Sequence, residues 1–217
     1  ISHWHRAYYQ SLVARPDAAY PVVRCGVDPA EFTPTAAEGV RASPRIVAVG
    51  RLVPKKGFDL LLSAMADVRN AGVPFTCRIL GDGPERGALA EQISDLGLRG
   101  TVALDGAASN SAVRAALGEA ALFVLPCRQG KDGDRDGIPV ALMEAMACGV
   151  CAVSGDLPTI RELIDDGENG YLVPPEDAAA LSGTLERLLR NPEERREAAA
   201  AGRRRIETEF SLELNSL

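Results

Sequence analysis

Histidine is nearly absent from the chain: His3 and His5 are the only two, both at the extreme N-terminus. On a terminal helix they would lie on different faces, so neither a metal site nor a His-based nucleophile can be assembled from them. No apolar run approaches the roughly 20 residues of a membrane-spanning helix, and no secretory leader is read at the start. Positive charge is in deficit, with a formal net charge of −6 and a pI near 5.1. That balance argues against nucleic acid as the main partner, because a phosphate backbone demands a basic face. The one basic cluster, Arg203-Arg204-Arg205 near Arg195 and Arg196, is interspersed with glutamates in a helical pattern, which predicts a solvated helix face. Internal repeats and low-complexity tracts are missing as well.

The five cysteines, Cys25, Cys77, Cys127, Cys148 and Cys151, are an odd and scattered set. Most fall inside apolar runs, where cysteine acts as a small buried hydrophobe, and the expected compartment is reducing and cytoplasmic. Cys148-Gly149-Val150-Cys151 has C-x-x-C spacing, but it runs from a helix end into a strand, whereas a redox pair sits at a helix start.

What the chain does have is enough apolar sequence, 46 % over 217 residues, to bury one sizeable core. Short apolar runs bounded by Gly or Pro predict strands at Tyr20–Cys25, Arg45–Gly50, Phe75–Gly81, Thr101–Asp105, Ala121–Pro126, Val150–Ser154 and Gly170–Val173. Amphipathic stretches between them predict helices at Phe58–Asn70, Glu85–Leu96, Ser111–Gly118, Val140–Cys148, Pro158–Asp165, Asp177–Arg190 and Pro192–Phe210. The strands are apolar throughout rather than alternating, as in sheets covered on both faces. Strand–helix alternation then gives an α/β fold, a Rossmann-like doubly wound parallel sheet. Residues 1–19, with a helix over Ser2–Arg15, read as a leading segment, and 20–217 as the domain. The chain opens at Ile1 and stops after Leu212-Glu213-Leu214-Asn215-Ser216-Leu217 with no evident closing element, so a fragment of a longer protein is expected.

Two clusters fall where a strand gives way to a helix, the place where open α/β sheets bind ligands. In Gly50-Arg51-Leu52-Val53-Pro54-Lys55-Lys56-Gly57, a guanidinium able to grip two phosphate oxygens accompanies a mobile ammonium. Together they could neutralise a pyrophosphate. Taken alone, the pair reads more readily as ordinary surface cations flanking a turn. In Asp136-Gly137-Ile138-Pro139-Val140, Pro139 fits the first helical position and Gly149 the C-terminal cap. Free N–H groups near Val140 and Ala141 would make an anion site. Asp136 lies just outside the helix and could accept sugar hydroxyls. Glu144, in an otherwise apolar stretch, is costly unless something meets it, and a ribose diol would serve. Asp132-Gly133-Asp134-Arg135-Asp136-Gly137 copies the opening of a calcium loop, but Pro139 fills its eighth position and Met143 its twelfth. In Gly81-Asp82-Gly83-Pro84, a sharp strand-to-helix turn is the simpler reading, with Pro84 at the first helical position. The connection Pro126–Gly137 is long for a unit whose loops run roughly 2–6 residues.

Gly50-Arg51-Leu52, Lys56-Gly57, Gly81-Asp82-Gly83-Pro84, Asp136 to Gly149 and Gly167-Glu168-Asn169-Gly170-Tyr171-Leu172-Val173-Pro174 together resemble the GT-B glycosyltransferases of family 4. Val23-Arg24-Cys25-Gly26-Val27-Asp28 and Phe32-Thr33-Pro34 fit that family's approach to its C-terminal domain. The resemblance runs from about Tyr20 to Phe210. It implies the C-terminal, nucleotide-sugar-binding half of a retaining sugar transferase, with no cofactor and no metal. Arg51 and Lys56 would hold the diphosphate and assist its departure, Asp136 would serve the transferred sugar, and Glu144 the ribose. The implied donor contacts are Gly50, Arg51, Lys56, Gly81, Gly106, Asp136, Gly137, Ile138, Pro139, Val140 and Glu144. Where the family has Glu, seven residues, Glu, this chain has Asp136 first, and the usual Gly-Phe-Gly is Gly-Ile-Pro. That variant resembles a branch acting on exopolysaccharide or lipid-linked acceptors. A saccharide or lipid-linked acceptor would sit on an N-terminal half not present here. The implied location is cytoplasmic, with the inner face of a membrane open to peripheral association. A GT-B nucleotide-sugar epimerase and a non-catalytic nucleotide-binding module remain as alternatives.

Overall fold

The computed structural model of the chain describes residues 2–12, 21–34, 44–130 and 137–215. Six parallel strands form one sheet: β1 (Arg45–Val49), β2 (Thr76–Leu80), β3 (Val102–Gly106), β4 (Leu122–Leu125), β5 (Cys151–Gly155) and β6 (Tyr171–Val173). Their spatial order is β3-β2-β1-β4-β5-β6. Helix α1 (His3–Leu12) precedes the sheet. The others are α2 (Phe58–Asn70), α3 (Arg86–Asp95), α4 (Asn110–Glu119), α5 (Val140–Ala147), α6 (Ala178–Arg190), α7 (Pro192–Glu209) and α8 (Leu212–Asn215).

The apolar runs become central strands because both their faces are covered. Every residue of β4 and β5 is buried. Helices α2, α3 and α6 pack on one face, and α4, α5 and α7 on the other, the arrangement that right-handed crossovers impose. In α6, Leu181, Leu185 and Leu188 are fully buried, a stripe at helical spacing. Asp177 caps its start, accepting from Ala180 N at 2.8 Å, and Ser109 does the same for α4.

Three expected elements differ. Residues 21–26 are not a strand: Val23 is 61 % exposed, and the run meets the domain through Arg24, over the Phe210 ring, and through Val27, which bridges Ser211. Pro158–Asp165 is not an α-helix but holds a 3₁₀ turn, Ile160–Glu162. Its apolar residues Ile160, Leu163 and Ile164 are buried, but the stretch is too short to propagate a helix. The chain end expected to lack a closing element forms α8, fastened by Leu212 N donating to Val27 O at 2.9 Å. Tyr20, Val13–Arg15 and Ser216–Leu217 lie outside the described residues.

The arginines of α7 are not one solvated face. Arg195 is only 5 % exposed and donates to Leu188 O and Leu189 O, closing the last turn of α6. Arg203 donates to Phe32 O at 3.0 Å and to Ala147 O, and pairs with Glu207. Arg205 pairs with Glu209 and Asp165. Arg196 and Arg204 do face solvent. Arg195, Arg196, Arg203 and Arg204 line a cavity of about 650 Å³. It includes Ala121 and Cys151, so it sits at the N-terminal edge of the sheet, opposite to where ligands bind, with Arg195 and Arg203 already engaged.

Cys148 and Cys151 are both buried. Burial pushes the Cys151 thiol up to about 12, which keeps it protonated and disfavours a redox or metal role.

Helix α1 buries none of its own side chains and is held chiefly at its first turn. Glu162 accepts from His3 N and Trp4 N at 2.9 Å each and from Arg24 at 3.5 Å. Burial opposes ionisation of Glu162, but those donors outweigh it and hold its carboxyl below the usual range. A lowered carboxylate pKa gives stability that is complete above the unfolded value, about 4.3, and lost as pH falls through the folded one. Trp4 is the sole tryptophan, so its fluorescence is expected to change as the sample is taken below about pH 4. Glu162→Gln should already show the acid-state signal at neutral pH. An unchanged spectrum in that variant refutes the anchoring role.

Candidate active site

Strand order reverses between β1 and β4, which are adjacent but lie far apart in sequence. A crevice opens at such a switch point, outside the carboxyl ends of the strands. The segment leaving β1 carries Gly50 and Arg51, then the 3₁₀ turn Pro54–Lys56. The segment leaving β4 runs from Pro126 and, after residues 131–136, enters α5. Both sequence-predicted clusters therefore start from neighbouring strand ends. Asp136, with the acidic loop Asp132–Asp136, lies outside the described residues.

The β1 loop is shaped by close backbone packing. Gly50 N donates to Leu80 O at 3.0 Å, Leu52 N to Asp82 O at 2.9 Å and Gly81 N to Gly106 O at 2.8 Å. A Cβ on Gly81 would meet Gly50 O at 1.8 Å. This packing accounts for the Gly81–Gly83 turn, and Gly106 closes β3 beside it. Helix α3 opens at Arg86 with Glu85 as its cap, so Pro84 lies before the helix rather than at its first position. Arg51 is exposed; its carbonyl accepts from Val53 N at 2.9 Å, and its guanidinium is joined by no hydrogen bond or ion pair to a described residue. Lys56 is half-buried at the end of its turn.

On the other side, Pro139 is the cap rather than the first helical residue, with φ −65° and ψ 126°. Its fixed φ suits the approach, and Val140 begins the helix. Gly137 is partly covered, Ile138 and Pro139 are buried, and Val140 is 44 % exposed at the mouth. Gly149 takes φ 66° just past the helix end, as expected.

Glu144 is half-buried on α5, and neither a hydrogen bond nor an ion pair links its carboxylate to a described residue. Burial raises its pKa, and Arg114 on α4 partly opposes the rise. A carboxyl raised in the folded state makes its ionised form a burden on stability at neutral pH. Such groups cluster at functional sites. Arg114, which also pairs with Glu31 at 3.5 Å, was not legible as a partner of Glu144, because the two residues lie on different helices.

Arg128 was missed entirely. It stands two residues after Pro126 and reaches back to the adjoining Lys56 turn, with Nε donating to Pro54 O at 2.8 Å. Its only sequence signal is a cation in an otherwise uncharged loop start. Among the described residues, no group of three His, Cys, Asp or Glu side chains is placed to hold a metal ion. No described helix is long and apolar enough to cross a membrane.

The sequence profile of the glycosyl transferases group 1 family matches residues 37–205. The chain belongs to that family. It is 35 % identical over 208 residues to the amylovoran biosynthesis glycosyltransferase AmsK of Erwinia amylovora, covering 95 % of this chain and 51 % of AmsK. This group 1 chain spans about half the length of the curated relatives it matches. Its fold superposes on Anabaena HepE in complex with UDP and glucose with a TM-score of 0.84, at 20 % identity, covering 99 % of this chain and 59 % of HepE. It also superposes on the C-terminal domain of LpcC, a group 1 protein of Francisella tularensis. There the TM-score is 0.74 at 19 % identity, covering 86 % of this chain and 100 % of that domain. The fold is thus the Rossmann-like one of GT-B glycosyltransferases.

Proposed function

We propose that this chain is the donor-binding domain of a retaining glycosyltransferase that moves a sugar from a nucleotide-diphosphate sugar to a saccharide or lipid-linked acceptor in polysaccharide assembly. The observation that carries the reading is the switch point itself. Adjacent strands β1 and β4 lead to a cationic loop and to a helix whose half-buried carboxylate, Glu144, has no hydrogen bond or ion pair among the described residues. AmsK's part in amylovoran biosynthesis and HepE's UDP and glucose fit the same reading.

In this reading Arg51 and Lys56 neutralise the diphosphate and stabilise it as the bond from the anomeric carbon to its oxygen breaks. The N–H groups around Val140 and Ala141 meet phosphate or sugar oxygens. Glu144 accepts the ribose hydroxyls, and Asp136 stands by the anomeric carbon, where a carboxylate stabilises developing positive charge. The acceptor and its own half of the cleft belong to a longer protein, without which this domain binds donor but transfers little. No metal is required, because the two cations occupy the place a metal would take.

Titrating UDP, GDP and ADP sugars against the chain by calorimetry tests this. One of them should bind, and without a divalent ion. Affinity should fall as pH is lowered through the raised range of Glu144, because the diol's hydroxyls donate to its ionised form and acidification removes that acceptor. Glu144→Gln should weaken binding by about tenfold, the value of a charge-assisted hydrogen bond, and flatten the pH dependence. Binding of none of the three sugars by the wild-type chain rejects the donor-site reading and favours a non-catalytic module.

A further inference from the structure

The contacts around Arg128 exceed what a loop residue needs. Its backbone N–H donates to Lys55 O at 2.9 Å, and its Nε donates to Pro54 O at 2.8 Å. Its terminal nitrogen donates to Asp59 Oδ2 at 3.1 Å and lies 3.0 Å from Oδ1, off the hydrogen-bond direction. One residue at the root of the β4–α5 connection thus holds the 3₁₀ turn that ends in Lys56 and the first turn of α2 that follows it. The Arg128 side chain is only 18 % exposed, against 41 % for Asp59, so these contacts are partly sheltered from water and less screened than an open surface pair.

We infer that Arg128 is a positioning residue for the donor diphosphate, one that fixes the Lys56 turn against the adjoining β4–α5 connection. This rests on the donor-site reading above and names a member of that site which neither touches the chemistry nor stands in either sequence cluster.

The charges behind the turn show why the position needs an arginine. Asp59 Oδ1 and Glu85 Oε2 are buried without hydrogen-bond partners among the described residues. Glu85 follows the Gly81–Gly83 turn in sequence, its N–H donating to Leu52 O at 3.2 Å. Its carboxyl is pushed upward by burial and by Asp59, and drawn down by Arg128. The guanidinium therefore pairs with Asp59, offsets the charge of Glu85 and donates to Pro54 O with a single planar fork, which an ammonium cannot reproduce. Without it, two like charges would face each other behind the loop that carries Arg51, and Pro54 O would lose its donor. The turn would then sample other arrangements. A ligand that needs one arrangement binds more weakly by the fraction of time that arrangement is absent.

The test is a double-mutant cycle on the 217-residue chain, with UDP and GDP titrated in parallel and uridine and guanosine as phosphate-free controls. Arg128→Met should weaken the nucleoside diphosphate about tenfold, as for a turn correctly placed a tenth of the time, and leave the nucleoside unchanged. In a Lys56→Ala background the same change should have little further effect, because Arg128 acts through Lys56; residues that share one interaction are non-additive. Arg128→Lys, which retains charge against Asp59 and Glu85, should recover part of the loss and gives a second reading should the Met variant fold poorly. Full additivity with Lys56→Ala overturns the inference, since it would mean that Arg128 grips phosphate independently. So does equal loss for the nucleoside, which would mean general loosening. Unchanged affinity in both Arg128 variants overturns it while the donor-site reading stands; failure of the wild-type chain to bind either diphosphate overturns both.

Discussion

Replacing Arg51 and Lys56 together by alanine is expected to weaken nucleoside diphosphate binding by about 10²–10³-fold, from roughly 1.5–3 kcal/mol for each charge-assisted contact and incomplete additivity. Each single change should account for about tenfold or somewhat more. The magnitude follows from placement. Arg51 leaves the end of β1 exposed, its side chain unpaired among the described residues, so that side chain carries no internal contact whose loss would unfold the domain. Lys56 stands half-buried at the end of a 3₁₀ turn, where a cation is only partly hydrated before the ligand arrives. Thermal midpoints should therefore move little while calorimetric affinity falls. Affinity in the wild-type chain should also drop with added salt, because the contacts sit at an open mouth. The free nucleoside, lacking phosphates, should bind both proteins alike. If the double variant holds UDP or GDP as tightly as the wild type, the diphosphate assignment is wrong.

The sheet was legible because its strands are short, apolar on both faces and punctuated by Gly or Pro. β1, β2, β4 and β5 lie inside the runs that periodicity picks out or within one residue of them. The run over 21–25 had the same apolar character, yet Val23 faces solvent and no strand pairs with it. A local pattern shows what could be a strand, and only a partner makes it one. The two site clusters were legible for a related reason: a cation or a carboxylate at a strand-to-helix junction is a local feature. Arg51 and Glu144 could be selected without knowing what stands beside them.

Charge pairs across the fold were not legible. Arg128 meets Asp59 across 69 residues of sequence, and Glu162 caps α1 across 158. No spacing rule links such positions, since the sheet topology alone brings them together. The arginines of α7 mislead for the same reason. An Arg- and Glu-rich helix reads as solvated, but Arg195 and Arg203 turn inward because the carbonyls of Leu188, Ala147 and Phe32 need donors there. Long side chains with several donors can close the ends of neighbouring helices while their stems cover apolar surface.

Gly57→Ala is expected to destabilise the domain by about 3 kcal/mol or more, the range of backbone strain combined with a steric conflict. Gly57 ends the Lys56 turn and begins α2 with φ 69°, a conformation that an L-residue adopts at a cost of about 1–2 kcal/mol. A Cβ built there falls 2.2 Å from Pro126 O and 3.1 Å from Pro126 C. The obstacle is backbone at the end of β4, so no side chain can swing aside. Relief requires the turn to back away from β4, which also pulls Lys56 from the crevice. Gly72 supplies the control: its φ is 72°, but a Cβ there meets nothing within 4 Å. Gly72→Ala should lose only the conformational part, about 1 kcal/mol, and leave donor affinity intact. At roughly 2–4 °C per kcal/mol for a domain of this size, the two variants should separate clearly in thermal unfolding. Only Gly57→Ala should also weaken the nucleoside diphosphate. Equal midpoints for the two would show that β1's loop and β4's end are not in contact at Pro126, and the crevice would have to be drawn differently.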